Sequence, residues 1–153
     1  TVGTEVYVVG KWSQNVGLAQ LDMVSVEVGK KADLPTALDI TNINKEDLMP
    51  HQSKLVDMKN VEVTSVEGTA DSSYALSIKV KNQKDEVIEI RWDKNVEISN
   101  AMSTLLKSIQ VGDRINLKSA VLSWYVKDGV YPVSGGAQIS FFAESTIEKV
   151  VAE

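Results

Sequence analysis

"NVEISNAMSTLLKSIQVG", residues 95–112, is the one long stretch of a 153-residue chain that does not alternate. Its apolar residues are Ile98, Ala101, Met102, Leu105, Leu106 and Ile109. The spacing i, i+3, i+4, i+7, i+8, i+11 sets them on one stripe of an α-helix. Asn95 or Ser99 can cap its start. Gly112 lies just beyond its end, where glycine takes a left-handed backbone at least cost. A helix with one apolar stripe must cover an apolar surface, so its neighbours decide the architecture.

Those neighbours have period two. "KNVEVTSV" (59–66) sets Val61 and Val63 on one face and Glu62 and Thr64 on the other. "ALSIKVKN" (75–82) turns Leu76, Ile78 and Val80 inward and Ser77, Lys79 and Lys81 outward. "EVIEIRWD" (86–93) turns Ile88, Ile90 and Trp92 inward and Glu89 and Arg91 outward. "DRINLKS" (113–119) buries Ile115 and Leu117, and "GGAQISFFAESTIEKV" (135–150) supplies a last strand. Such alternation means strands with one buried face. "EGTADSS" (67–73), "NQKDE" (82–86) and "VKDGVYPVSGG" (126–136) carry the turn chemistry between them. Three strands, a helix and two strands is the order of a five-stranded OB-fold barrel, with the helix plugging one end. An SH3-like barrel would lack the helix, and a β-sandwich would want more strands. The predicted class is all-β with one helix: an OB-fold domain over residues 54–153, preceded by an extra β-hairpin.

The hairpin comes from a repeated phrase. "VGTEVYVVGKWSQ" (2–14) is echoed by "VGDRINLKSAVLSWY" (111–125). "GLAQLDMVSVEV" (17–28) is echoed by "GGAQISFFAESTIEKV". The later copies are strands four and five of the barrel. Residues 1–31 are therefore read as the same pair from a preceding OB module whose first three strands are absent, turning at 15–17. Residues 32–53 form a connector, with a short helix at 44–49. A lone strand pair is marginal in water, so the hairpin must pack on the barrel, pair with an edge or exchange with another chain.

Charged residues make up 24% and hydrophobic residues 43%, as in ordinary folded domains. No apolar run approaches the ~18 residues of a membrane-spanning helix, so no membrane insertion is expected. With no cysteine, disulfides and thiolate metal sites are excluded. The first residue is Thr, and the chain is read as a trimmed or excised piece. A net charge of −5 argues against an indiscriminate grip on nucleic acid, which rests on a basic face, while leaving room for a local patch.

"LPTA" (34–37), "SKLVDMKNVEVTSVEG" (53–68), "EVIEIRWD", "LKSIQVGDRINLKSAVLSWY" (106–125) and "GAQISFF" (136–142) together resemble the OB-fold modules of bacterial extracellular nucleases and related cell-surface nucleotidases. The resemblance covers most of residues 34–150, and residues 2–24 match the end of such a module. It departs at Ser119, where that family usually has the glycine that Gly10 keeps in the first copy. It implies an accessory module, a secreted or cell-surface location, and neighbouring domains of a parent chain as partners. Any catalysis would lie in those other domains.

The residues themselves agree that catalysis within this chain is not expected. The single histidine, His51, cannot build a zinc site without cysteines, and no serine elbow accompanies it. "DITNINKED" (39–47) lacks the central glycine and acid spacing of a calcium loop. No phosphate-binding glycine motif occurs, and no cofactor is expected. What remains is a binding surface. OB-folds receive ligands on the outer face of strands two and three and the adjoining loops. Lys79, Lys81 and Arg91 lie there, and the loop after strand four adds Trp124, Tyr125, Lys127 and Tyr131. Aromatic rings beside cations can stack bases and hold phosphates of single-stranded nucleic acid. Outward lysines are equally ordinary solvated side chains, and Trp12 and Trp124 equally suit packing at the barrel rim. Two function classes stay open: a module binding single-stranded nucleic acid weakly beside a nuclease, and a structural spacer or protein- or carbohydrate-interaction module of a surface protein.

Overall fold

The computed structural model of the chain describes residues 3–68, 74–128 and 135–150. Its elements follow in the order β1 (Thr4–Asn15), β2 (Leu18–Lys31), β3 (Leu38–Asp39), a 3-10 turn (Lys45–His51), β4 (Leu55–Glu67), β5 (Tyr74–Lys81), β6 (Val87–Asp93), α1 (Asn100–Ser108), β7 (Arg114–Trp124), β8 (Ala137–Phe141) and β9 (Thr146–Lys149).

β4 is long enough to serve two neighbours. Its first part pairs antiparallel with β7, from Leu55 opposite Val121 to Glu62 opposite Arg114. Its second part pairs with β5, from Glu62 opposite Lys81 to Glu67 opposite Ser77. The strand changes direction at Asn60, whose φ of +51° is the left-handed conformation that Asn tolerates better than most residues. Arg114 locks the bend, donating from Nε to the Asn60 side-chain oxygen at 2.7 Å. β5 pairs with β6, β6 runs parallel to β8, and β8 pairs with β7, so the sheet closes on itself through β4–β7. This is the expected five-stranded OB-fold barrel.

The inward residues of the alternating pattern form its core. Val56, Met58, Val63, Val80, Ile88, Ile115, Leu117, Leu122 and Ile139 are all at 0% exposure. α1 is shorter than the apolar stripe that predicted it. Ser99 caps it, its Oγ accepting the Met102 N–H at 3.2 Å, and Ile109 already has extended backbone. Leu106 and Ile109 are buried, Met102 and Leu105 are half-buried against the core, and Ala101 is exposed.

The expected single fifth strand is broken into β8 and β9. Opposite the break, β7 bulges at Ser119, which has φ +54°. Ser145 Oγ accepts the Phe142 N–H at 3.0 Å and donates to the Ser119 carbonyl at 3.1 Å, tying the turn to the bulge. The connector also joins the packing. β3 pairs parallel with β4, and Ile40 and Leu48 are fully buried. No helix among the described residues is long and apolar enough to cross a membrane.

β1 and β2 make a separate two-stranded sheet. Hydrogen bonds at its turn fasten it to the barrel. Val126 N–H donates to the Val16 carbonyl at 2.7 Å, Ala19 N–H donates to Gln52 Oε1 at 3.0 Å, and Leu18 packs on the core. At strand rise the ribbon is about 40 Å long.

Candidate ligand-binding face

The antiparallel register of β5 and β6 sets outward side chains directly opposite one another. Ser77 faces Arg91, and Lys79 faces Glu89. Parallel pairing then carries both rows onto β8, with Glu89 beside Gln138 and Arg91 beside Ser140. Period two thus turns one alternating sequence into a polar strip across three strands.

The strip is cross-linked. Arg91 and Glu89 form an ion pair at 2.9 Å, and Ser77 Oγ donates to Glu89 at 2.5 Å. Partial burial pushes the Glu89 carboxyl pKa upward. The hydrogen bonds from Arg91 and Ser77 outweigh it and hold the group below the usual range. Lys79 pairs with Glu67 at 3.1 Å and lowers that carboxyl as well. Lys81 pairs with Asp85 at 3.0 Å. Each of the three cations singled out on β5 and β6 therefore has a carboxylate partner.

Tyr125 leaves the end of β7 and stands 43% exposed. The Arg91 guanidinium lies 5.7 Å from its ring centroid, within cation–π range. Tyr125, Lys79 and Glu89 line a shallow groove of about 220 Å³ together with Lys45, Gly135, Gly136 and Gln138. A groove of this size suits one ring or one sugar at a time rather than an enclosed small molecule.

The structure divides the sequence-predicted site. Lys79, Arg91 and Tyr125 come together, and Lys127 is exposed two residues beyond Tyr125. Lys81 lies instead in a second groove, with Arg114, Asn60 and Asp85. Trp124 is a correction: at 1% exposure it is a core residue, because the alternation of β7 turns it inward with Leu122. Its indole also fixes Gly136, where a Cβ would come within 2.7 Å of Trp124 Nε1. Tyr131 lies outside the described residues. Two contributors escaped the sequence reading. Lys45 reaches the groove only because the connector packs on the barrel, which no local pattern signals. Gln138 was visible as part of the repeated "GxAQ" phrase but had no strand to place it beside Glu89.

His51 Nδ1 lies 3.1 Å from Lys54 Nζ on the surface of the connector. Among the described residues, no three His, Cys, Asp or Glu side chains gather as metal ligands would.

No protein-family model and no curated protein matches the chain. Among solved structures it is similar to the OB domain (residues 67–166) of MM0293 from Methanosarcina mazei, determined by NMR in solution. The two are 16% identical over 78% of this chain and 88% of that one, with a TM-score of 0.50. At that identity the likeness establishes the OB fold and nothing finer.

Proposed function

We propose that the chain is a non-catalytic binding module that holds single-stranded nucleic acid weakly in the groove between β5, β6 and β8. The observation that carries this reading is Tyr125, an exposed ring backed by Arg91 and set beside Lys79 and Lys45 on the face that OB-folds present to ligands. One base stacks on the free face of the tyrosine, and the amines neutralise its flanking phosphates. Exposed ion pairs such as Lys79–Glu67 are worth about 0–1 kcal/mol, so a phosphate can compete for the lysine. A net charge of −5 keeps the affinity low. An accessory role beside a secreted or surface nuclease belongs to this proposal and rests on the resemblance of the sequence.

The test is fluorescence anisotropy of a short labelled oligonucleotide across a salt series. We expect a dissociation constant no tighter than roughly 1 μM and a log–log salt slope of about −2 or shallower, at about −0.7 per phosphate contact. Lys79→Ala with Tyr125→Ala should abolish binding at unchanged melting temperature. Lys81→Ala, in the other groove, should leave it intact. Binding that survives the double change would place the site elsewhere.

Pairing of the three cations on β5 and β6 favours a second reading, a neutral oligosaccharide stacked on Tyr125 and hydrogen-bonded by Glu89 and Gln138. It predicts binding of sugar oligomers that does not change with salt, again lost with Tyr125→Ala.

A further inference from the structure

One face of the β1–β2 ribbon is apolar; the other is mixed, with the exposed Tyr7 and Val9 among polar side chains. Its register sets Val6 against Val28, Val8 against Val26 and Trp12 against Leu21, with Met23 alongside; Tyr7–Glu27, Lys11–Asp22 and Ser13–Gln20 occupy the opposite face. The seven large apolar side chains of the first face are 40% to 69% exposed. Together they offer roughly 800 Å², the share one partner contributes to a standard interface. Both strands of the ribbon are also sheet edges, because the ribbon is a two-stranded sheet.

What fits that face can be read from the other copy of the same phrase. The pairs Val8–Val26, Trp12–Leu21 and Ser13–Gln20 of the ribbon match Leu117–Ile147, Leu122–Ile139 and Ser123–Gln138 of β7, β8 and β9. The match is conformational too. Gly3 and Gly112, which precede the first strands, have φ of +81° and +91°; Gly17 and Gly135, which precede the second, have +84° and +83°. One extra residue at the Ser119 bulge and a turn at 142–145 account for the difference in length. In β7–β9 the apolar members of these pairs are at most 1% exposed, because β4 pairs with β7, β6 pairs with β8 and α1 packs against β9. The ribbon presents the same face without that cover.

We propose that the apolar face of the ribbon docks an OB-type half-barrel: a three-stranded antiparallel meander followed by a helix, the counterpart of β4, β5, β6 and α1. Docking closes a second five-stranded barrel on β1 and β2. A second copy of this chain is not the source, since its own half-barrel is already closed on β7 and β8.

The chain itself supplies the probe. Residues 54–110 are joined ahead of Val2 in the full chain, so that Gln110 precedes Val2–Gly3 as it precedes Val111–Gly112. Hydrogen exchange of residues 4–31 is compared with and without the addition. We expect the ribbon's edge amides to slow at least about 100-fold in the extended chain. Val8→Asp with Leu21→Asp should restore the fast rate, whereas Lys11→Asp, on the opposite face, should not. Exchange unchanged by the addition would overturn the proposal. So would an unextended chain that is already a dimer with protected ribbons, returned to monomer by Val8→Asp with Leu21→Asp, because that face would then belong to a second copy.

Discussion

Ser119 holds a backbone conformation that costs an L-residue roughly 1–2 kcal/mol, and its neighbours keep it there. Its N–H donates to Asp57 Oδ1 at 2.8 Å, and its carbonyl accepts from Ser145. Ser119→Gly should raise the unfolding free energy by up to about 1 kcal/mol, the strain relieved less the entropy regained by the unfolded chain. Ser119→Val should lower it by about 1–2 kcal/mol, since β-branching makes the left-handed region worse. Urea titration measures both, and a destabilising glycine would show that the bulge is unstrained. Gly10, its apparent partner in the repeat, needs the absence of a side chain for another reason: a Cβ there would lie 2.6 Å from the Asp22 carbonyl oxygen. Counting residues matched the two positions, but only the backbone shows that they do different work. Glu89 makes a pH prediction. Its folded pKa is lowered, so it contributes stability above its unfolded value of about 4.3, lost as pH falls through the folded one. Glu89→Gln should cost about 1–2 kcal/mol at pH 7. That deficit should shrink below pH 4, and a deficit constant from pH 7 to pH 3 would mean that the Arg91 pair contributes nothing.

α1 shows what periodicity can and cannot specify. The stripe identified a helix and the face it buries, but six apolar positions spread over more residues than the nine the helix contains. Leu106, at 1% exposure, is its centre, and Leu105 sits at the edge. Leu106→Ala should cost about 2–5 kcal/mol, through lost burial and the cavity left behind. Leu105→Ala should cost less than Leu106→Ala, and the solvent-facing Lys107→Ala under about 0.5 kcal/mol. Equal effects in denaturant titration would show that α1 does not plug the barrel. The break between β8 and β9 was illegible for a related reason. Phe142 to Ser145 carry no strong turn signal, and the chain turns there because it must stay in register with a bulge more than twenty residues earlier.

At the scale of the molecule, the barrel and connector should stand without the ribbon. A chain of residues 34–153 keeps the five barrel strands, α1 and the buried Ile40 and Leu48. It loses the Leu18 contact and the hydrogen bonds at Val16, Gly17 and Ala19, worth about 1–3 kcal/mol together. A single cooperative thermal transition, only a few degrees lower, is the expected result; a gradual loss of signal would show that the ribbon completes the core. The sequence by itself determined the two faces of each cleanly alternating strand, the order of strands and helix as far as β7, and the repeat, because alternation and the helical stripe are local consequences of backbone geometry. It could not decide which cations meet. Lys79 and Lys81 are two residues apart on one face of one strand, yet they open onto different grooves, because β6 with Tyr125 borders one and the bend of β4 with Arg114 borders the other. Trp124 and Tyr125 are adjacent and equally aromatic. One is core and the other exposed because closure of the barrel, through pairings between residues far apart in the chain, assigns the inside and the outside.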